Sequence, residues 1–157
     1  MDDISKWVSE LRDPTIKKRR EAAIHLGKSA DLSAIPHLLE ALSDTHPGVR
    51  GEVVQALGRL KDSSAVPALI ASLDDADTNV RAAAIAAIGK IKDRDAVTPL
   101  IACLHDKEII IRVGAAEVLG KLGDARAIRP LVLLGNDPFL EVRDAAEAAL
   151  RRLRVKT

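Results

Sequence analysis

The sequence returns on itself every 31 residues, and that interval limits the possible folds more than any other feature of the chain. Steps of 31 from Arg81 land on Arg19, Arg50, Arg112 and Arg143, and steps from Gly89 land on Gly27, Gly58 and Gly120. A period of this size marks a repeat architecture: each unit is one supersecondary element that cannot bury its apolar face alone and does so against its neighbours.

Within each unit the apolar positions follow a helical period. One set of columns reads Ile4, Ile35, Val66, Val97, Ile128; Trp7, Leu38, Leu69, Leu100, Leu131; and Val8, Leu39, Ile70, Ile101, Val132. Leu11, Leu42, Leu73 and Leu104 continue it, with Gly135 the exception. That is one helix face at i, i+3, i+4 and i+7. A second helix per unit follows from Val49, Val53, Leu57 and Leu60 and their counterparts Val80, Ala84, Ile88 and Ile91. The pairs fall at 2–12 with 15–29, 32–43 with 47–60, 63–74 with 78–91, 94–105 with 109–122, and 125–135 with 139–154. Five two-helix units, 1–31, 32–62, 63–93, 94–124 and 125–157, account for the chain as a single all-α domain.

Composition agrees. The chain is 47% hydrophobic with a single Trp, a single Phe and no Tyr. A core of Ala, Leu, Ile and Val suits closely packed helices better than a sheet sandwich. The net charge of +1 gives no electrostatic footprint for nucleic acid, and aromatics for stacking on bases are nearly absent. No segment reaches the roughly 18 apolar residues of a membrane span, and the polar opening Met1-Asp2-Asp3-Ile4-Ser5-Lys6-Trp7 has no signal-peptide core. With one cysteine as well, the expectation is a cytoplasmic protein that binds neither membrane nor nucleic acid.

Asp31, Asp62, Asp93 and Asp124 stand where a carboxylate can cap the first helix of units two to five. Pro36, Pro67, Pro99 and Pro130 fall near the start of the same helices, where a missing N–H is tolerated. Asp13, Asp44, Asp75, Asp106 and Asp137 each precede an arginine by six residues. This spacing sets a carboxylate in the turn between the two helices and a guanidinium on the first turn of the second. The pattern predicts a structural ladder between adjacent units, built from Asp44, Arg50, Asp75, Arg81, Asp106, Arg112, Asp137 and Arg143. Five regularly spaced copies of a pair do not make one active site.

The combination Pro36, Asp44, Arg50, repeated as Pro67, Asp75, Arg81, resembles the signature of HEAT repeats. Val49-Arg50 followed by Ala56-Leu57-Gly58-Arg59-Leu60-Lys61-Asp62 is similar to the short HEAT-like subtype named after phycobilisome lyases. The resemblance spans essentially the whole chain. It implies a right-handed α-α superhelix whose second helices line the concave side. The subtype includes chromophore-lyase subunits, a metal-dependent hydroxylase, accessory domains and adaptors.

Residues for chemistry are few. That hydroxylase binds iron through His-Glu dipeptides, whereas His25, His37, His46 and His105 are followed here by Leu26, Leu38, Pro47 and Asp106. His37 and Glu40 share a helix face and read as an exposed polar pair with no second pair to complete a metal site. Cys103 reads as a partly exposed packing residue. The glycine column with the cations Lys28, Arg59, Lys90 and Lys121 after it lacks the strand-to-helix context of a phosphate loop. Glycine late in a helix instead admits a neighbouring helix, and the cation suits the helix C-terminus. No catalytic residue, metal ligand or cofactor is expected.

Surface remains. The outward columns of the second helices drift while the framework columns hold: Lys17, Gly48, Asn79, Ile110, Glu141; Arg20, Gly51, Ala82, Val113, Asp144; Glu21, Glu52, Ala83, Gly114, Ala145; Ile24, Gln55, Ala86, Glu117, Ala148. Toward units three and four they turn small and apolar. Gln55, Asn79, Ala82, Ala83, Ala86, Ile110, Val113 and Glu117 form the candidate partner-binding groove. Ile109-Ile110-Ile111 leaves open which isoleucine faces the core. The last unit carries extra apolar surface in Leu131-Val132-Leu133-Leu134 beside a basic tail of Arg151, Arg152, Arg154 and Lys156. The expectation is a monomer, or weak self-association through that unit. The leading function is a non-enzymatic scaffold or adaptor that holds a protein partner on its concave face. The alternative is a subunit or chaperone of a bilin (phycobiliprotein) lyase-type complex; a metal-dependent enzyme comes third.

Overall fold

The computed structural model describes residues 3–156, the side chains of Val155 and Lys156 excepted. Asp2, at the expected start of the first helix, and the Lys156 side chain of the expected basic tail lie outside the described residues. All regular structure among the described residues is helical, in two compact units, Met1–Ile91 and Lys92–Thr157.

Unit 1 holds three helical hairpins: α1 (Asp3–Glu10) with α2 (Ile16–Lys28), α3 (Ile35–Ala41) with α4 (Pro47–Leu60), and α5 (Val66–Ala71) with α6 (Thr78–Ile91). Each first helix packs on its own second helix, and α2, α4 and α6 lie side by side in that order. Unit 2 repeats the plan with α7 (Val97–Cys103) on α8 (Ile109–Leu122) and α9 (Ile128–Leu134) on α10 (Leu140–Lys156), α8 lying against α10. The expected five pairs are all present, as an all-α fold of helical repeats.

The apolar columns make the core. Leu38, Leu57, Leu69 and Ile88 are fully buried in unit 1, as are Leu100, Ile111, Leu119 and Leu131 in unit 2. Each contributes about 1.5–3 kcal/mol by leaving water.

The first helices of the second to fifth hairpins differ from expectation at their starts. A 3-10 turn, at residues 32–34, 63–65, 94–96 and 125–127, precedes each α-helix. The aspartate ahead of it accepts from the backbone N–H two residues on: Asp31 from Ser33, Asp62 from Ser64, Asp93 from Asp95, Asp124 from Arg126. The N–H just past each turn closes it on the carbonyl three residues back, Val66 on Ser63 ahead of Pro67 and equally Val97 on Arg94 ahead of Thr98.

Neighbouring second helices approach until no side chain fits between them. A Cβ built on Gly27 would lie 2.6 Å from the Ala56 Cα, one on Gly58 2.6 Å from the Ala87 Cβ, and one on Gly120 2.8 Å from the Ala149 Cα. The glycine column is therefore a matter of space. Just past the second helix the chain is left-handed at Ala30, Lys61, Lys92 and Gly123 (φ 58°, 56°, 63° and 69°), and of these only Gly123 lacks the Cβ that resists this conformation.

Candidate functional site

The aspartate-arginine columns fix how successive hairpins meet. In unit 1, Arg19 grips the Asp44 carboxylate with Nε (2.6 Å) and Nη2 (3.1 Å), and Arg50 grips Asp75 at 2.7 and 2.8 Å. In unit 2, Arg112 grips Asp137 at 2.8 and 3.2 Å. The remaining nitrogen, Nη1, donates to the carbonyl of the aspartate in the arginine's own turn: Arg50 to Asp44 at 2.9 Å, Arg81 to Asp75 at 2.9 Å, Arg112 to Asp106 at 2.8 Å, Arg143 to Asp137 at 2.7 Å. Each carboxylate also accepts the N–H two residues on, as Asp75 does from Asp77, and so shapes the turn. The Arg50 guanidinium holds the Asp75 carboxyl below the usual carboxylate range, against the opposing effect of burial. Arg81 and Arg112 are both buried despite their charge.

With the turns held, the second helices present their outward columns. In unit 1, Asn79 and Ala86 are exposed and Gln55, Ala82 and Ala83 half-buried. Gln55 and Asn79 line a shallow depression of about 350 Å³ that also takes in Arg20, Gly48, Gly51, Glu52 and Asp77. Arg20 and Glu52 are paired across it at 2.9 Å. Above Gly51 lies open space, so bare backbone forms part of the floor. Asp77 joined this rim without being singled out from the sequence. It caps α6 by accepting from the Asn79 N–H at 2.9 Å, and a lone aspartate ahead of a helix does not announce that it borders a depression.

In unit 2 the isoleucine run resolves: Ile111 is fully buried, Ile109 half-buried and Ile110 60% exposed. Ile110 stands with half-buried Val113 and exposed Glu117 on the outward side of α8. These groups can bury apolar area and offer amides and charges at its edge; none is a nucleophile or a placed acid–base pair.

Two readings of individual side chains need correction. Cys103, expected to be partly exposed, is buried, as Leu134 in the same column of α9 is. Glu40 is no partner of His37. Its carboxylate takes Arg12 at 2.7 Å, and His37 lies half-buried in a pocket of about 180 Å³ bordered by Val8, Leu11 and both ions. His25, unremarkable in the sequence, stacks on Trp7 with ring centroids 3.9 Å apart. Among the described residues no three His, Cys, Asp or Glu side chains converge as metal ligands, and no helix is long and apolar enough to cross a membrane.

The family model for HEAT repeats matches residues 4–79 and 66–151, nearly the whole chain. The chain belongs to the HEAT-repeat family. No curated protein matches it by sequence. Among solved structures, this HEAT-repeat chain is similar to the complex of CpcE and CpcF of phycocyanin lyase from Nostoc sp. PCC7120, at 26% identity and a TM-score of 0.84 over 98% of its length. It spans 65% of that chain. The likeness to the phycobilisome-lyase subtype thus holds in three dimensions as well as in the repeat motif. It is also similar to a designed armadillo repeat protein in complex with the peptide (KR)4, at 25% identity and a TM-score of 0.67, covering 96% of this chain and 81% of that one. Human deoxyhypusine hydroxylase shares the fold at 18% identity and a TM-score of 0.50, with 97% of this chain and 84% of that one covered.

Proposed function

We propose that this HEAT-repeat protein is a non-enzymatic scaffold that holds a protein partner on the second-helix faces of its units. Exposure of Ile110 beside Val113, on a helix whose inward side already has Ile111 for its core, is the observation that carries this reading. A large apolar side chain held in water, edged by a carboxylate, is the composition of an interaction patch. In unit 1 the depression bordered by Gln55 and Asn79 offers amides over bare backbone, suited to polar contacts with a peptide chain. The similar designed armadillo protein, bound to a peptide, gives a precedent for recognition by stacked helical repeats.

The test is capture from the native host with the wild-type chain and with Ile110→Asp/Val113→Asp. Ile110 lies in the first turn of α8, where an aspartate suits the helix dipole, so the fold is expected to survive. Loss of the captured partner at an unchanged melting temperature supports the reading. Retention of the partner, or collapse of the fold, refutes it.

A second reading draws on the likeness to phycocyanin lyase: the chain serves as a subunit or chaperone in attaching a bilin to its acceptor protein. Co-expression with a bilin and a phycobiliprotein acceptor tests it, a covalent coloured product being the positive result.

A further inference from the structure

Charge on the outward side of the second helices is arranged differently in the two units. In unit 1 it is paired internally: Arg20 meets Glu52 at 2.9 Å, and Lys17 stands 3.9 Å from Glu21. In unit 2 the outward columns of α8 and α10 contain Glu117, Glu141 and Asp144 and no lysine or arginine. The cap column adds a fourth carboxylate. His46 and Asp77 use their side chains there to cap α4 and α6, His46 accepting from the Gly48 N–H at 3.1 Å and Asp77 from the Asn79 N–H at 2.9 Å. Glu108, at the same place ahead of α8, makes no such bond.

Neither Glu108 nor Glu117 has a side-chain hydrogen bond or ion pair among the described residues. The Arg112 guanidinium, in the chain between them, is engaged by the Asp137 carboxylate and by the Asp106 and Lys107 carbonyls. Lys107 and Lys121, the nearest lysines in sequence, lie outside these columns. The two carboxylates bracket the apolar pair: Ile110 and Val113 share a face one turn apart, with Glu108 before the first and Glu117 a turn beyond the second. From Glu108 to Glu117 the helix advances about 13 Å. An extended chain covers that distance in four residues of about 3.3 Å each, and turns its first, third and fifth side chains to one side. Lys17 and Asn79, in the column of Ile110, are exposed as well, so the exposure is a property of the outward face itself.

We propose that α8 binds an extended peptide segment of the form cation-x-apolar-x-cation, its apolar side chain seated on Ile110 and Val113 and its two lysine or arginine side chains paired with Glu108 and Glu117. The inference rests on the partner-binding reading of this face and adds the chemistry of the partner. An apolar centre with a rim of one sign repels acidic segments and draws basic ones, so the rim selects the partner and the apolar pair holds it. Glu141 of α10, in the column of Ile110, adds to the same field.

Random linear peptides displayed on phage and panned on the whole chain test this. The enriched sequences are expected to carry lysine or arginine two positions to either side of a leucine, isoleucine, valine or phenylalanine. The leading one, labelled and followed by fluorescence anisotropy, is expected to bind Glu108→Gln/Glu117→Gln at least about threefold more weakly, with a flatter dependence on sodium chloride. Neither carboxylate braces the fold, so that variant is expected to keep the wild-type melting temperature. Panning on Glu117→Lys is expected to replace one flanking cation by an aspartate or glutamate. Enriched peptides that lack cations at this spacing, yet are released by Ile110→Asp, overturn the proposal and leave the partner-binding reading of the face intact. Failure to enrich any peptide, or a leading peptide held as tightly by the glutamine variant, also overturns it; capture with Ile110→Asp/Val113→Asp then decides separately whether the face holds a partner.

Discussion

A single arginine per repeat does the work of two connectors. Arg50 ties its own turn through the Asp44 carbonyl and the next hairpin through the Asp75 carboxylate, in a pair whose side chains are 18% and 13% exposed. Arg50→Ala strands a mostly buried carboxylate and is expected to cost about 2–3 kcal/mol, less than a fully buried pair because water partly screens it. Denaturant titration measures it; Lys17→Ala, with a side chain 85% exposed and its partner Glu21 3.9 Å away, serves as the control and should leave the midpoint in place. The arginine column was legible because it recurs at every period. Its carbonyl acceptors were not, since backbone oxygens leave no trace in residue identity. The same blindness hid the left-handed closures. Gly123 hints at one, whereas Lys61 and Lys92 do not. Lys61→Gly is expected to raise stability by about 0.5–1 kcal/mol, by relieving a Cβ from a conformation it resists. A lowered melting temperature would count against that strain.

Between elements, the tightest constraint is the gap across which second helices touch. Gly58→Ala puts a methyl group 2.6 Å from the Ala87 Cβ and 2.7 Å from its Cα, and the latter is backbone that cannot swing aside. Forcing α4 from α6 is expected to cost about 1–3 kcal/mol, read as a fall in melting temperature. Gly51→Ala, above which there is open space, is the matched control for helix propensity alone. The sequence pointed to this contact because glycine late in a helix has few other uses. It was silent on the 3-10 starts of the first helices, which all four hairpins share whether the proline stands at the position of Pro67 or, as Pro99 does, one residue later.

For the whole molecule, carboxylates set the acid limit. Hydrogen bonds from Thr15 hold Asp13 down to about 2, and those from Arg126 hold Asp124 to about 2. Asp75 lies below the ordinary range through Arg50; at Asp44 and Asp137 burial pushes upward and is outweighed by the bonds from Arg19 and Arg112. Groups depressed on folding contribute their full stability above the unfolded value of about 3.9 and lose it as pH falls toward their folded values. Thermal melts should therefore be flat with respect to these groups above about pH 5 and drop steadily from about pH 4 to pH 2. A melting temperature that rises on acidification contradicts the pairing. The architecture was readable because each repeat states it independently. The candidate face was readable only as drift: a column that varies reveals exposure and not what covers it, and only the burial of Ile111 settled which isoleucine points outward.

The rungs of Arg19, Arg50 and Arg112 join residues 25 apart, and Gly27, Gly58 and Gly120 each meet an alanine, as Gly27 does Ala56, from the very next hairpin. Tandem copying of residues 32–62 would hand Arg50 the Asp44 of the new copy and Gly58 its Ala56, while the copied Arg50 and Gly58 would find Asp75 and Ala87 as before. Such a chain can grow by whole modules without altering a single side chain, whereas a residue inserted within a second helix turns the side chains beyond it out of register with their partners.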